Sequence, residues 1–241
     1  MTLPPPRSRS LPRADFFVTG TDTGVGKSLV AAALLRHLGQ TGRRAVGMKP
    51  VAAGTSWVDG RWCNDDVEAL SAASNVQAPA PWVCPYLLRD AMAPHIAAEN
   101  EGIPLRLDHL QACFAQLQSV SDSVVVEGAG GFSVPINATE TLADLAQVLA
   151  VPVVLVVGIR LGCLNHALLT AQAIRQAGLP LVGWVANHID PEMSAPVENV
   201  NALAQRLGAP CWAQIPWQMQ SPRISFADGL ETIPSVIVPS Y

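Results

Sequence analysis

Short, almost wholly apolar runs alternate along this chain with longer Ala- and Leu-rich stretches whose apolar residues recur at helical spacing. Runs of this kind predict strands covered on both faces, because a strand with one face in water would alternate apolar and polar residues. We predict strands over residues 15–19, 45–49, 123–127, 153–158 and 181–187. We predict helices over residues 27–40, 66–74, 107–119, 142–149, 164–177 and 196–207. The alternation predicts an α/β fold with a mostly parallel sheet flanked by helices.

Two segments do not follow this alternation. Residues 1–14, "MTLPPPRSRSLPRA", are rich in Pro, Arg and Ser, have little to bury, and are predicted to be a disordered N-terminal tail. Residues 15–241 are then predicted to form a single domain. The stretch from 53 to 102 is rich in Pro, Ala and Trp and is predicted to be an irregular excursion. It is a candidate lining for a substrate site, because ligands of open parallel sheets lie beyond the carboxyl ends of the strands.

Composition narrows the class of partner. The chain has 241 residues and a formal net charge of -4, and its only basic cluster is the N-terminal "PRSRSLPR". This argues against a nucleic acid or an anionic membrane as partner and favours small molecules. Five scattered cysteines without a C-x-x-C pair suit reduced thiols. With no signal-peptide pattern and no apolar run long enough to span a bilayer, we expect a soluble, cytoplasmic protein.

The segment "GTDTGVGKS", residues 20–28, joins a predicted strand to a predicted helix. Gly24 and Gly26 allow the backbone N–H groups to turn toward phosphate oxygens, Lys27 would reach the β- and γ-phosphates, and the Ser28 hydroxyl would bind Mg²⁺. The spacing departs from the usual G-x-x-x-x-G-K-[ST] by one residue. The alternative is a glycine-rich turn in which Ser28 caps the helix.

Two further predicted strands end on charged residues. Lys49 ends "RRAVGMKP" and would face the same edge of the sheet as the glycine loop, unless it is an ordinary surface lysine. Glu127 ends "SVVVE" and is followed by Gly128, Ala129 and Gly130. An acid directly after a buried strand and before small residues predicts a Mg²⁺ ligand opposite a phosphate loop, the alternative being a Glu that caps the next turn.

Weaker candidates lie at other element ends. Asp65 and Asp66 precede a helix, where Asp65 and Glu68 also have capping-box spacing. The segment from Gly162 to Asn165 begins another helix and could bind an anion such as a carboxylate. Asn187 ends a strand, and its amide suits a purine edge or simply a turn. None of the five histidines has a metal-binding spacing with another.

Taken together, "VTGTDTGVGKS", "GMKPVAAG", "NDDVEAL", "APHIAAENEG", "VVVEGAGG", "VGIRLGCLNHALLTAQAI", "GWVAN" and "QIPW" closely resemble the dethiobiotin synthetase family over residues 16–217. The resemblance implies a single-domain P-loop NTPase-like three-layer fold. It also implies a ligase of biotin synthesis that converts 7,8-diaminononanoate, CO₂ and MgATP into dethiobiotin, ADP and phosphate. In that reaction an N7-carbamate is phosphorylated by ATP and the second amine closes a cyclic urea.

The resemblance also assigns roles to residues. Lys49 and Lys27 are implied to be catalytic, and Ser28, Asp66 and Glu127 to surround Mg²⁺. The residues implied to bind ATP are Thr23, Gly24, Val25, Gly26, Lys27, Ser28, Leu29, Asp66, Glu127, Gly128, Ala129, Gly130, Asn187, His188, Pro216, Trp217 and Gln218. Those implied to bind the diamine are Lys49, Ala53, Gly130, Leu161, Gly162, Cys163, Leu164 and Asn165, the last five across a homodimer interface.

Several positions depart from the family pattern. Ala53 replaces a frequent serine, Gly24 a glutamate, His188 an aspartate and Arg223 an acidic residue. Two other functions remain as alternatives. One is a related amide-forming synthetase of the cobyrinic acid type, although 241 residues leave no room for its glutamine-hydrolysing domain. The other is a partition-type switch ATPase, which carries a lysine where this chain has Asp22.

Overall fold

The computed structural model describes residues 13–217. Its strands are β1 (Phe16–Gly20), β2 (Ala45–Met48), β3 (Val51–Ala53), β4 (Ser56–Val58), β5 (Arg61–Cys63), β6 (Tyr86–Leu88), β7 (Ser123–Gly131), β8 (Val153–Ile159), β9 (Leu181–His188) and β10 (Cys211–Ile215). Its helices are α1 (Lys27–Gln40), α2 (Asp65–Ala73), α3 (Ala80–Val83), α4 (Pro94–Glu101), α5 (Leu107–Val120), α6 (Leu142–Leu149), α7 (Cys163–Gln176) and α8 (Pro196–Arg206). Within this range, no helix is long and apolar enough to cross a membrane.

Six strands form one sheet in the order β10-β9-β8-β1-β7-β2, and every neighbouring pair is parallel. Both faces of the sheet are covered: Phe17 and Val124 pack with helices α5 and α6, whereas Phe16 and Val125 pack with helices α1 and α2. Because successive strand residues point to opposite faces, each run of apolar residues supplies both layers. The predicted three-layer α/β fold is confirmed.

The excursion over residues 53–102 is more regular than we predicted. Strands β3 and β6 form a small parallel pair, and β4 and β5 form an antiparallel hairpin closed by Asp59 and Gly60. Both of these turn residues have positive φ, 48° and 81°, as a two-residue hairpin turn requires. The stretch therefore consists of short elements attached to the main sheet near its carboxyl edge.

Several further details differ from the prediction, and the largest shift of a strand end is that β7 continues to Gly131, four residues beyond the predicted end. Strand β10 was not predicted at all. Helix α2 begins one residue earlier than expected and is capped by Asn64, not by Asp65, since the Asn64 side chain accepts hydrogen bonds from the backbone N–H groups of Asp66 and Val67. Arg13 and Ala14, which we assigned to the tail, are placed against the fold: Arg13 donates to the Asp15 carboxylate at 3.0 Å, and Ala14 is buried.

Candidate active site

Three neighbouring strands bring the charged candidates together. Strands β2, β7 and β1 lie side by side, with Met48 opposite Val126 and Val18 opposite Glu127. Lys49 follows β2 directly, Glu127 lies within β7, and the glycine loop follows β1. Because the strands are parallel, all three reach the same edge of the sheet, as the sequence predicted.

The glycine loop leads directly into helix α1. Gly24 and Gly26 have φ of 74° and 92°, a region that side chains disfavour, and Gly26 is the N-cap residue of α1. Ser28 lies two residues after this N-cap, but neither its side chain nor any other caps the helix end. The first N–H groups of α1 have no side-chain partner, and the positive end of the helix favours an anion there.

Lys27 lies under this loop. Its side chain is 6% exposed, and its Nζ donates to the carbonyl oxygen of Asp22 at 2.9 Å. Burial, together with the charge of Lys49, lowers the pKa of Lys27 to about 8. The Asp22 carboxylate accepts a hydrogen bond from the Thr23 N–H at 2.7 Å and forms an ion pair with Arg160. Position 22, where we expect a lysine in a switch ATPase, therefore carries a paired carboxylate in this chain.

Lys49 is buried between two carboxylates. It is 3% exposed, and its Nζ lies 2.7 Å from Asp66 Oδ2 and 2.7 Å from Glu127 Oε1, with the Gly128 carbonyl oxygen at 3.4 Å. The Ser28 hydroxyl lies 2.5 Å from Asp66 Oδ1 and 2.8 Å from Glu127 Oε1. Lys49 is therefore not a solvated surface lysine, and Glu127 is not a turn cap.

The charges in this cluster are mutually dependent. Burial alone would lower the pKa of Lys49, but Glu127 and Asp66 outweigh it and raise that pKa. Burial opposes ionisation of Asp66 as well, yet the Lys49 charge and the hydrogen bonds from Lys49 and Ser28 lower its pKa. For the fully buried Glu127, burial is the larger effect and raises the pKa despite Lys49. Lys49 thus carries its positive charge throughout the neutral range.

Lys27 and Lys49 are the only lysines in the whole 241-residue sequence, which contains thirteen arginines. Both are buried in this cluster. A guanidinium is always charged and bulky, whereas an ammonium is a compact charge on a flexible stem that fits between oxygens. Both lysines thus stand where a compact cation has to fit between oxygen atoms.

Asp66 reaches the cluster because the start of helix α2 is fixed. Asn64 caps this helix, and its Nδ2 donates to the carbonyl oxygen of Gly54 at 2.7 Å, which ties α2 to the end of strand β3. From the residues alone, the capping-box spacing of Asp65 and Glu68 was the alternative to a binding role for this pair of aspartates. The structure places Asp66 in contact with Ser28 and Lys49.

Asn187 contacts the glycine loop. It is buried, and its Nδ2 donates to the carbonyl oxygen of Val25 at 2.9 Å. Gly158 of the neighbouring strand β8 lets the Val25 side chain of the loop pack closely against the sheet. A Cβ at position 158 would lie 2.8 Å from Val25 and 2.6 Å from Ile189. At least one hydrogen bond of the Asn187 amide therefore supports the loop.

A cavity of 710 Å³ opens above the cluster. The charged and polar residues and the loop glycines of its lining are Thr23, Gly24, Gly26, Lys27, Ser28, Lys49, Asp66, Glu127 and Gly130. The apolar residues of its lining are Val51, Ala53, Ala91, Met92, Ala93, Pro94, Ala129 and Val134. Residues 91–94 belong to the stretch 53–102 that we predicted as a candidate lining, although none of them was singled out. Val51 and Val134 were not predicted, since nothing in the sequence around them indicates that they face a cavity.

A second, shallower cavity of 290 Å³ lies beside the ends of β9 and β10. It is lined by His188, Asp190, Pro191, Met193, Pro196, Gln214, Pro216 and Trp217. Three of the residues implied to bind ATP, His188, Pro216 and Trp217, thus line this cavity. Gln218, also implied to bind ATP, and Arg223, a departure from the family pattern, lie outside the described residues.

The segment Leu161 to Asn165 lies in neither cavity. Leu161 is 91% exposed at the turn before helix α7, Gly162 is the N-cap with φ of 93°, and Cys163 is buried inside the fold. Within one chain these residues do not meet Lys49 or Ala53 in a shared pocket.

Solved structures share this fold. A ParA family ATPase from Chlorobium tepidum superposes with a TM-score of 0.54 at 16% identity, covering 86% of this chain and 85% of that one. The septum site-determining protein MinD from Pyrococcus horikoshii, complexed with Mg-ADP, gives 0.54 at 16% identity over 86% and 82%. At these identities the likeness establishes the P-loop NTPase fold alone.

Sequence relatives are more specific. A family model described as an AAA domain matches residues 14–224. The ATP-dependent dethiobiotin synthetase BioD of Xanthomonas oryzae pv. oryzae is 49% identical over 216 residues, 90% of this chain and 96% of that protein. The protein of the same name from Xanthomonas campestris pv. campestris is 50% identical over 203 residues, 84% and 91% of the two chains. The chain therefore belongs to the AAA-domain family and to the family of ATP-dependent dethiobiotin synthetases.

Proposed function

We propose that this protein makes dethiobiotin from 7,8-diaminononanoate, CO₂ and ATP, releasing ADP and phosphate. The observation that carries the proposal is that Lys27, Lys49, Asp66 and Glu127 line one cavity together with apolar residues. A diamino acid carries charged groups on a chain of methylene groups, so it can contact both kinds of lining residue. The family relationship supplies the identity of the substrates.

In the proposed reaction, the N7 amine adds to CO₂ and loses a proton, giving a carbamate. A carbamate oxygen then attacks the γ-phosphorus of ATP, and ADP leaves. The second amine attacks the carbamoyl carbon, the C–O bond to phosphate breaks, and the departing proton goes to solvent as the cyclic urea forms. Two anions must approach each other in the phosphoryl transfer, so fixed positive charge is the main requirement.

The residues of the site fit these needs. The N–H groups from Gly24 to Leu29 and the ammonium of Lys27 would hold the phosphates, while the small residues Gly128, Ala129 and Gly130 leave room for them. The ammonium of Lys49 would lie between the carbamate and the γ-phosphoryl group. Residues Ala53 and 91–94 would pack on the methylene groups. Asn187 and the cavity at His188, Pro216 and Trp217 would hold the adenine.

The oxygen atoms of the site suit Mg²⁺. This ion prefers oxygen ligands and is commonly held by one or two carboxylates together with substrate phosphates. Ser28, Asp66 and Glu127 offer a hydroxyl and two carboxylates, and Glu127 Oε2 is buried without a hydrogen-bond partner. The described residues contain no cluster of three His, Cys, Asp or Glu, so the nucleotide would complete the ligand set. When bound, the ion would offset the charge of the β- and γ-phosphates.

The proposal is tested by incubating the purified protein with ATP, magnesium, diamine and bicarbonate, and by following the product by mass spectrometry. Dethiobiotin should form only when all four are present. A reaction in which ADP accumulates at the same rate without the diamine would contradict the assignment and would favour a switch ATPase.

A pH profile of ATP binding tests the role of Lys27. In the free protein its pKa is about 8, and bound phosphates would raise it by stabilising the ammonium. ATP affinity should therefore be flat below pH 8 and fall by up to about tenfold per unit above it, because binding then requires uptake of a proton. In Lys27→Gln the affinity should be weaker at neutral pH and lack this slope. Isothermal titration from pH 7 to 9.5 measures both. A flat wild-type profile would contradict proton uptake by Lys27 on binding, and an unchanged affinity in Lys27→Gln would exclude Lys27 from phosphate binding.

We further propose a homodimer in which Leu161 to Asn165 of one subunit receive the substrate carboxylate bound at the other. The exposure of Leu161 and the absence of this segment from the lining of the 710 Å³ cavity in its own chain support the arrangement. Lys49→Ala and Asn165→Asp should each be inactive alone. After equal mixing and subunit exchange, about a quarter of wild-type activity should return, since half the dimers are mixed and each holds one intact site. No recovery, with exchange verified by mass spectrometry, would refute a shared site.

We also propose that the enzyme works in the cytoplasm. All five cysteines are free thiols, which suits a reducing compartment. The substrates in this proposal are small molecules, and neither a nucleic acid nor a membrane is required.

A further inference from the structure

Lys49 occupies the position between the two carboxylates that a divalent cation would take. Its Nζ lies 2.7 Å from one oxygen of Asp66 and 2.7 Å from one oxygen of Glu127. With its side chain almost wholly buried, the ammonium cannot leave the carboxylates without moving into the cavity that it lines. It is therefore an internal cation of this site in the nucleotide-free protein.

Most oxygen atoms of the two carboxylates already accept hydrogen bonds. Asp66 Oδ1 accepts the Ser28 hydroxyl, and Glu127 Oε1 accepts both Ser28 and Lys49. Of the four carboxylate oxygens, only Glu127 Oε2 lacks a partner. A divalent ion that arrived alone would have to shed part of its tightly held water and also break these bonds.

We propose that Lys49 keeps the cation site closed to free divalent ions, and that binding of the metal together with ATP releases Lys49 toward the carbamate. The proposal rests on the proposed function only in naming where Lys49 goes. It gives one side chain two successive partners: the carboxylates before nucleotide binds, and the reacting anions afterwards. Metal entry and the placement of the catalytic ammonium are then one event.

Lys27 provides the comparison within the same site. Its Nζ is bonded to the carbonyl oxygen of Asp22 and not to either carboxylate. It adds positive charge nearby but does not occupy the cation position. Removing it should therefore affect metal binding only through the weaker, longer-range charge effect.

Nucleotide-free Mn²⁺ binding, measured by electron paramagnetic resonance, tests the closure. Lys49→Met leaves the two carboxylates without their cation, and such unpaired buried charge is costly, so we expect Mn²⁺ to bind about tenfold more tightly or better than to wild type. Lys27→Met should gain less than Lys49→Met. A gain in Lys49→Met no larger than that in Lys27→Met would overturn the proposal.

A second measurement is made on the wild-type protein, and a substitution serves only to assign the signals. Because the chain has only two lysines, protein labelled with ¹³Cε-lysine should give two lysine side-chain signals, and the one that Lys27→Arg removes belongs to Lys27. Millimolar Mg²⁺ alone should leave the Lys49 signal unchanged, whereas Mg²⁺ with a non-hydrolysable ATP analogue should shift it. A shift with Mg²⁺ alone, or none with the analogue, would overturn the proposal. Neither experiment uses the diamine, so both results would still test the closure of the cation site if the synthesis assay failed.

Discussion

Lys49→Ala should lower the rate of dethiobiotin formation by about a thousandfold while changing the affinity for ATP by less than about fivefold. The expected loss is large because the ammonium would stabilise charge that develops only as the carbamate is phosphorylated. ATP binding should survive because the glycine loop and Lys27 remain. Steady-state kinetics give the first value, and isothermal titration with ATP gives the second.

Arg36→Ala, on the exposed face of helix α1, is a suitable control, since it also removes a cation but lies outside the cavity. It should retain wild-type kinetics. If Lys49→Ala were fully active, Lys49 would be removed from the mechanism. If it lost ATP binding and activity in parallel, its role would be in nucleotide binding rather than in the transfer step.

Gly26→Ala should weaken ATP binding by about a hundredfold, whereas Gly24→Ala should change it by no more than about threefold. Both glycines have positive φ, so both substitutions cost stability. Only Gly26 is also crowded: a Cβ there would lie 2.4 Å from Asn187 Nδ2, while nothing lies within 4 Å of one at Gly24. The alanine at 26 must displace either the loop or the side chain that supports it.

Titration of both variants with ATP, alongside their thermal unfolding, separates loop geometry from general destabilisation. Gly26→Ala should have the lower unfolding temperature of the two, and at a temperature where both variants are folded their ATP affinities should still differ strongly. Equal affinities in the two variants would show that the contact between Asn187 and the loop does not shape the nucleotide site.

The central sheet was largely predictable because its strands are buried on both faces. Runs such as "SVVVE" and "VVLVVG" are short and mostly apolar, a pattern that favours strands covered on both faces. Strand β10, "CWAQI", lies at the edge of the sheet, is only partly buried and contains Gln214, so it shows no apolar run. Its pairing with β9 is set by tertiary contacts that sequence periodicity does not report.

The short elements between 51 and 102 were missed for a related reason. Strands β3 and β6 have three residues each and form only because they meet each other. The hairpin, however, carried a readable signal: Asp59-Gly60 between Trp57 and Trp62, which are paired directly across the two strands. An Asp-Gly turn flanked by aromatic residues predicts a hairpin.

Some contacts of the site could be predicted from the sequence and others could not. Neighbouring parallel strands made the meeting of Lys49, Glu127 and the glycine loop a consequence of topology. The contact of Asp66 with Ser28 depends on the Asn64 cap, and the bond from Asn187 to Val25 depends on the bare backbone of Gly158. Such contacts require the packed structure, because no local pattern encodes which side chains meet.

The most direct test of the account follows an oxygen atom. With freshly dissolved ¹⁸O-labelled bicarbonate, diamine and MgATP, the released phosphate should carry one labelled oxygen, because the carbamate oxygen that attacks the γ-phosphorus leaves with the phosphate. The phosphate is analysed by mass spectrometry early in the reaction, before the bicarbonate has exchanged its ¹⁸O with water. One label per phosphate, formed together with dethiobiotin, is the result we predict. Unlabelled phosphate would mean that water attacks ATP, and would contradict a synthetase that proceeds through a phosphorylated carbamate.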